Sequence, residues 1–359
     1  MDADRFLQCR NTIAKHLGLS RNAAAGLVRR MPEADCQAVI AAGRRLRGAG
    51  AVAIRHITAP YREPVPAYPG PGRRVRLRGV VGRPTLDGPS TGMFALQQAL
   101  RAEIGRRRID WLTISGEAHP DDLLWFWNWQ DKEELLWWDG VGRPYVCGPN
   151  ILFGVSWDAR ADEAERTACD SPHCRLIFTE SAWYGRLIQR HRGPTSLCPL
   201  VLWPYPIDPA PGPPVVPPRY DLLVFVKSGP VELAEPLAGR YPRSIVLRYG
   251  HFHRPELFEA ARQSRACVYL SEDDRGPLAL AEILCGGCPA VGVERGAPWV
   301  NIGGTGICLK RFELPAITEA VEELLTWDRD QVHRVAREYF DPQRVAGIVL
   351  EALDRARHH

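Results

Sequence analysis

Residues 266–306 read ACVYLSEDDRGPLALAEILCGGCPAVGVERGAPWVNIGGTG. An apolar run, Ala266 to Leu270, meets an acidic loop, Glu272-Asp273-Asp274. Pro277 then opens an Ala/Leu helix that stops at Gly286-Gly287, before a second apolar run from Pro289 to Val293. The order is strand, loop, helix, strand. Proline suits a first helical position, where its missing N–H would be unpaired anyway, and glycine suits the C-terminal stop. The stretch predicts a βαβ crossover with its polar loop at the carboxyl end of a strand, where open α/β sheets bind ligands.

The same alternation extends on both sides. Upstream come a strand over Asp221–Val226 ending at Lys227-Ser228-Gly229, a helix over Val231–Ala238, a strand over Ser244–Arg248 running into Tyr249-Gly250, and a helix over Pro255–Ser264. Downstream come helices over Leu314–Leu325, Arg329–Phe340 and Pro342–Arg357. Before all of these, Pro206–Arg219 places seven prolines in fourteen residues, the composition of a linker.

Ahead of the linker a second α/β series is predicted. Its strands are Val75–Gly82, Ile109–Ser115, Asp122–Trp127, Arg143–Cys147 (leading to Gly148-Pro149-Asn150), Leu176–Thr179 and Pro199–Trp203. Its helices are Gly92–Arg106, Lys132–Trp138 and Ala182–His191. Alternation at this spacing implies parallel sheets. The expected fold class is α/β, two Rossmann-like parallel-sheet domains facing a cleft, with a small N-terminal helical appendage. The expected limits are 1–55 for the appendage, 73–205 and 220–340 for the sheet domains, and 341–357 for a closing helix. Within the appendage, Ile13–Met31 has the look of a helix-turn-helix: Gly18 in the turn between Leu17 and Leu19, Ser20 as N-cap, and a second helix ending in Arg29-Arg30. A third helix is expected over Glu33–Arg47.

Composition bounds the function. At 359 residues the chain is long enough for two cores, and no uninterrupted apolar segment approaches the roughly 20 residues that span a bilayer. The opening MDADRFLQCR lacks a signal peptide's basic-then-apolar order, so the expected location is the cytoplasm. Ten scattered cysteines favour reduced, buried thiols over a disulfide framework. Net charge is +4, yet residues 1–110 carry 20 Lys/Arg against 8 Asp/Glu, which leaves the rest of the chain acidic. So basic a front section admits an anionic partner such as DNA, or a plain Arg-rich solvated surface.

One series resembles the donor-binding half of retaining glycosyltransferases with the two-Rossmann GT-B fold. It comprises Tyr249-Gly250-His251-Phe252, a helix with Leu257 and Ala260, Ala266 to Ser271, Asp274 separated by seven residues from Glu282, and Gly286-Gly287-Cys288-Pro289-Ala290-Val291. In that family a Ser, a Glu-x7-Glu pair and a Gly-x-Pro-Val-like strand occupy these places. Residues 220–306 carry the pattern. The first half agrees in outline: a Gly-containing loop from Gly88 to Gly92, a WNWQ segment with Trp127 and Trp129, Asn150 after a strand, and Thr179-Glu180-Ser181 before a helix. Pro206-Ile207-Asp208 matches the family's interdomain Pro-x-Asp.

The resemblance implies that Glu282 grasps a ribose diol and that Asp274, one methylene shorter than the family's first Glu, meets the donor sugar. Asn150 stands where relatives place a sugar-contacting His, and the acceptor side falls to Gly92, Trp127 and Trp129. Gly250 and Phe252 border the nucleotide. Physical reasoning supports a diphosphate at the helix start, because helix N-termini offer unpaired N–H groups and a partial positive charge. The amides of Gly276, Pro277 (as opener), Leu278 and Ala279 frame that position. Lys227 would neutralise phosphate charge, and Arg275 is the candidate second cation. The expected substrate is a nucleotide-diphosphate sugar, with a UDP-sugar foremost, and no cofactor or metal is required.

Other readings stand beside these. Glu272-Asp273-Asp274 could bind a metal, and Cys285-Gly-Gly-Cys288 has the form of a redox or zinc half-site, although its place is a packing turn. His251 and His253 read as surface histidines. The tryptophans Trp125, Trp127, Trp129, Trp137 and Trp138 serve either packing or stacking on a sugar or base. For the acceptor, the basic front section suits a hydroxymethylated DNA base, as a DNA-base-modifying enzyme would use, or a cell-surface saccharide or lipid-linked acceptor. The remaining alternatives are a 2-epimerase and a non-catalytic DNA-binding sensor of sugar nucleotides.

Overall fold

The computed structural model describes residues 1–17, 21–45, 47–61, 67–78, 89–114, 116, 118–128, 131–150, 167, 170–191 and 198–359, with side chains at 23, 47, 48, 51, 61, 89–91, 128, 150 and 191 outside the description. Two fully parallel sheets organise it. The first contains β1 (Val75–Leu77), β2 (Leu112–Ile114), β3 (Leu123–Asn128), β4 (Tyr145–Asn150), β5 (Cys174–Thr179) and β6 (Leu200–Leu202), in the order β2-β1-β3-β4-β5-β6. The second contains β7 (Tyr220–Val226), β8 (Ser244–Arg248), β9 (Ser264–Leu270), β10 (Ala290–Val293) and β11 (Gly306–Leu309), in the order β11-β10-β9-β7-β8. In each the order reverses once, between β1 and β3 and between β7 and β9. Such a reversal opens a crevice at the strands' carboxyl ends.

Strand β3 shows why the first sheet is central to its half. Leu123, Trp125 and Trp127 enter one core, and Leu124 and Phe126 enter the other. With a period of two and both faces apolar, this strand can only be covered on each side. The covering helices are α5 (Pro89–Arg107) on one face, and α6 (Lys132–Gly140) and α7 (Ala182–His191) on the other. In the second sheet, α8 (Ala234–Arg240), α9 (Arg254–Gln263), α10 (Leu278–Cys285), α11 (Leu314–Leu324) and α12 (Arg329–Tyr339) do the same work.

The closing helix α13 (Pro342–Ala356) returns to the first sheet. Asp341 caps it through the amides of Gln343 and Arg344, and its apolar face joins the core beneath α5. Beyond it, Arg357 lies 4.8 Å over the Trp111 ring, and its carbonyl accepts from the Arg73 amide at 2.9 Å. An aromatic series continues the core across the two halves, running from Trp203 to Tyr205 (5.4 Å), Trp299 (6.2 Å) and Phe340 (5.3 Å).

The appendage is a four-helix unit: α1 (Ala3–Leu17), α2 (Arg21–Arg30), α3 (Glu33–Ala42) and α4 (Arg47–Thr58), here numbered ahead of α5. Cys9, Ile13, Leu27, Val28, Val39 and Ile54 fill its core. The turn residues Gly18, Leu19 and Ser20 lie outside the described residues. The third helix stops at Ala42 rather than Arg47; Gly43 follows as its C-cap and passes so close to α1 that a Cβ would stand 2.4 Å from Thr12 Cγ2. Helix α4 was not expected from sequence, since its glycines and β-branched residues carry little helical propensity. Tertiary contact forms it: Gly50 lies against the His16 ring, and Arg55 pairs with Glu134 of α6. Glu134 also accepts from Arg78, and Arg78 reaches the Leu17 carbonyl at the end of α1. The appendage is thereby fastened to the carboxyl end of β1.

Among the described residues no helix is long and apolar enough to cross a membrane.

Candidate functional site

The crevice between β7 and β9 receives the residues that follow those strands. Lys227 and Ser228 leave β7, and Ser271 through Asp274 leave β9. Gly229 lies against the end of β9, where a Cβ would stand 2.7 Å from the Leu270 carbonyl carbon, so the two loops meet at backbone distance. Ser228 Oγ and Ser271 Oγ share a hydrogen bond of 3.1 Å. Lys227 Nζ forms an ion pair with Asp274 Oδ2, which also accepts from the Tyr269 hydroxyl at 3.2 Å. Asp274 is 8 % exposed; burial pushes its carboxyl above the ordinary range, although Lys227, Tyr269 and the Gly276 amide all favour the charged form.

Behind this pair stands helix α10. Pro277 sits at its N-cap, just outside the first helical position. The Gly276 amide serves the Asp274 carboxylate, so the diphosphate expected there has Leu278 and Ala279 as its backbone donors, with Gly276 already engaged. Glu282, one and a half turns along, is 6 % exposed and accepts from Arg254 Nε at 2.6 Å. Arg254 in turn donates to the Pro209 carbonyl in the linker at 3.2 Å. This arginine at the start of α9 escaped sequence reading, because its partners lie 28 and 45 residues away.

Gly250 takes φ +81° with open space around it, and the half-buried Phe252 packs edge-on to Phe225 at 5.6 Å. Lys227 Nζ lies 5.3 Å from the exposed Tyr249 ring. Beside the acidic loop an open depression of ≈ 950 Å³ follows the ends of β9, β10 and β11, with Ser228, Asp273, Arg295, Asn301, Lys310 and Arg311 on its walls. Arg295, Lys310 and Arg311 were not anticipated, and neither was β11, whose four residues follow a glycine-rich stretch with little strand signal.

The residues expected on an acceptor side are distributed differently. Gly92, on α5, is pressed against Tyr205, and a Cβ there would stand 2.9 Å from its ring. Trp127 is fully buried beside Trp125, at 5.6 Å between rings, and offers no face to a ligand; the apolar coverage of both sides of β3 requires this. Trp125 and Trp138 are buried as well, each donating its indole N–H to a carbonyl. Trp129 and the loop 79–88 lie outside the described residues, as does the side chain of Asn150 at the end of β4.

Cys285 and Cys288 are buried, and burial pushes both thiols up to about 12, which removes thiolate chemistry at neutral pH. The nine described cysteines are all free. Among the described residues no group of three His, Cys, Asp or Glu side chains is arranged to hold a metal ion; Glu272 and Asp273 face solvent while Asp274 turns inward to Lys227.

The N-terminal half also contributes to the site's edge. Glu180, after β5, is 4 % exposed, and Gly276 of the loop after β9 packs on its Cβ and on the Tyr205 ring. Arg275 donates to the Tyr184 hydroxyl of α7 at 3.1 Å and lies 5.0 Å over that ring.

No family model matches the sequence, and no curated protein matches it either. Solved structures do match. Anabaena Alr3699/HepE in complex with UDP and glucose aligns over 79% of this chain and 100% of that one, with TM-score 0.50 and 11% identity. The same protein in complex with UDP-glucose covers 78% and 99%, with TM-score 0.50 and 10% identity. The GtfA/B complex covers 75% and 61%, with TM-score 0.50 and 13% identity. At these identities the likeness concerns the fold: two parallel-sheet Rossmann-like units in the GT-B arrangement.

Proposed function

We propose that this protein transfers a sugar, with retention, from a nucleoside diphosphate sugar to an acceptor hydroxyl. The observation that carries the proposal is the Lys227–Asp274 pair in the β7/β9 crevice, set against the start of α10 with Glu282 on the same helix. A departing nucleoside diphosphate needs positive charge and N–H donors placed before it forms, and this corner supplies both. Lys227 and the first amides of α10 take the diphosphate, Asp274 hydrogen-bonds the sugar, and Glu282 accepts from the ribose diol, exchanging Arg254 for it. Gly250 and Phe252 border the nucleobase. UDP is the nucleotide of choice, because the fold is shared with a protein solved with UDP-glucose.

No carboxylate is assigned as nucleophile. Asp274 is committed to Lys227, and a front-face displacement, in which the leaving phosphate takes the acceptor proton, asks the protein for position and charge only. Asn150 completes the sugar contacts as a hydrogen-bonding residue, and Gly92 opens the acceptor wall.

The acceptor reading follows from the appendage. Its helices carry exposed Arg21 and Arg29, and it is fastened through Arg78 to the carboxyl end of β1, the side of the cleft that this reading gives to the acceptor. An anionic acceptor suits that position, and a hydroxymethylated base of DNA joins phosphate contacts to a free hydroxyl. The test is incubation with UDP-, GDP- and ADP-sugars together with plain, hydroxymethylcytosine or hydroxymethyluracil DNA, followed by digestion and mass spectrometry of the nucleosides. A hexose adduct is expected on a hydroxymethylated base. Transfer only to a saccharide or lipid acceptor would overturn the DNA reading, and undiminished transfer by Glu282→Ala would overturn the donor-site assignment.

A further inference from the structure

The donor loop belongs to the second sheet but is held by the first. Gly276 leaves no room for a side chain, since a Cβ would stand 2.7 Å from Tyr205 Cε2 and 3.2 Å from Glu180 Cβ. The Trp299 indole donates to the Glu180 carbonyl at 3.0 Å, and the Tyr205 hydroxyl donates to Glu180 Oε1 at 3.3 Å. Glu180 Oε2 is buried and has no hydrogen-bond partner among the described residues. Glu180 packs on Gly276, the neighbour of Arg275 in that loop, and of the charges around its carboxyl Arg275 favours the ionised form while Asp274 opposes it. A buried carboxyl with an unused oxygen is costly and contributes nothing that a glutamine could not to packing. Groups of this kind cluster at sites of binding and chemistry.

The charge balance of the donor corner names the use. Lys227 is already matched by Asp274, and the Gly276 amide is engaged by the same carboxylate. A diphosphate entering there shares Lys227 with that carboxylate and calls for a second cation. Arg275 is the neighbouring one, and its guanidinium is fixed against the Tyr184 hydroxyl and ring of α7. We propose that Glu180 and Tyr184 are positioning residues that hold Arg275 in the interdomain cleft as the second cation for the donor diphosphate. The inference rests on the sugar-nucleotide reading and extends it: full grip on the donor requires both halves of the molecule, and the first half delivers its share through one arginine of the second.

Calorimetric titration of the full chain with UDP, GDP and ADP identifies the tightest nucleotide, which is then used with Arg275→Ala, Tyr184→Phe, Glu180→Gln and the double variant Glu180→Gln/Arg275→Ala. Arg186→Ala is the control, since Arg186 lies on the same helix and pairs with Glu294 across the halves at the exposed surface. Arg275→Ala is expected to weaken binding by roughly tenfold, as loss of a charge-assisted contact does, and the two positioning variants by several-fold. The double variant should bind no worse than Arg275→Ala alone. Arg186→Ala should bind as wild type, and Glu180→Gln should unfold no earlier than wild type. Wild-type binding with unchanged affinity in Tyr184→Phe and Glu180→Gln would overturn the inference, and so would equal weakening by Arg186→Ala. Absence of nucleotide binding by the wild type would overturn the donor reading and this inference together.

Discussion

Three buried acids of this protein meet two opposite fates. Glu134, under the appendage, lies between two guanidiniums, Arg55 and Arg78. Burial pushes its carboxyl up, but Arg78 and Arg55 outweigh that and hold it below the ordinary range. Asp274 has one cation, and Glu180 keeps an oxygen with no partner; for both, burial wins and the carboxyl is raised. The first arrangement satisfies its charge within the fold and acts as a fastener. The second leaves its carboxyls short of partners in a crevice between two sheets, where a ligand can supply what is missing.

Removing the fastener should have the largest effect. Glu134→Ala strands two arginines in the interior, and breaking a buried pair in this way costs about 3–5 kcal/mol. Chemical denaturation should show that loss, and α4 should become the first segment cleaved in limited proteolysis. The pH sign is fixed by the lowered carboxyl: its stabilisation is present above the unfolded value and is lost as pH falls through the folded one. The stability gap between wild type and Glu134→Gln should therefore narrow in acid. Wild-type stability of Glu134→Ala at neutral pH would refute the fastener.

The next effect falls on binding alone. Lys227→Ala should weaken nucleoside diphosphate by about tenfold or more in calorimetry, because a cation at the phosphate is lost. Its thermal stability should change little, since the freed Asp274, already raised by burial, can take up a proton. Lost stability with retained affinity would reverse the comparison and make Lys227–Asp274 the structural pair.

What sequence could show of all this follows from distance along the chain. Helix α7 and strand β8 lie at the limits read from sequence, Ala182–His191 and Ser244–Arg248, because each is a bounded periodic run. The Asp274-to-Glu282 spacing was legible for the same reason: strand, loop and helix are contiguous. Lys227 could be placed at a strand end, yet its ion pair joins residues 47 apart, and the contact of Arg275 with Tyr184 joins residues 91 apart. Such pairs arise from which strands become neighbours, and local pattern does not encode that. Helix α4 and strand β11 were missed because tertiary contacts form them against weak propensity.

A smaller effect separates Glu180 from Glu134 by sign. Burial raises the folded Glu180 carboxyl, so its favourable contribution is present at low pH and is lost as pH rises through the folded value. Glutamine cannot ionise. Glu180→Gln should match the wild type in acid and melt higher above neutrality, the opposite trend to Glu134→Gln, while its nucleotide affinity falls. A melting point below wild type at alkaline pH would place Glu180 with the fasteners.

The smallest effect concerns the appendage surface, where exposed charge is screened by salt. Arg21 and Arg29 are exposed at the two ends of α2, with Leu27 and Val28 between them turned into the bundle core, so the helix presents a charged edge away from the rest of the protein. If that edge meets phosphates of a DNA acceptor, Arg21→Ala and Arg29→Ala should each lower affinity by a few-fold, similarly across sequences. Each should also reduce the slope of log affinity against log salt by about one. Fluorescence anisotropy with labelled duplexes over a range of salt measures both quantities. Nucleotide binding should be unaffected, because α2 has no part in the β7/β9 crevice. An unchanged salt slope in the double variant would leave the positive edge as solvated surface and return the acceptor to an uncharged hydroxyl.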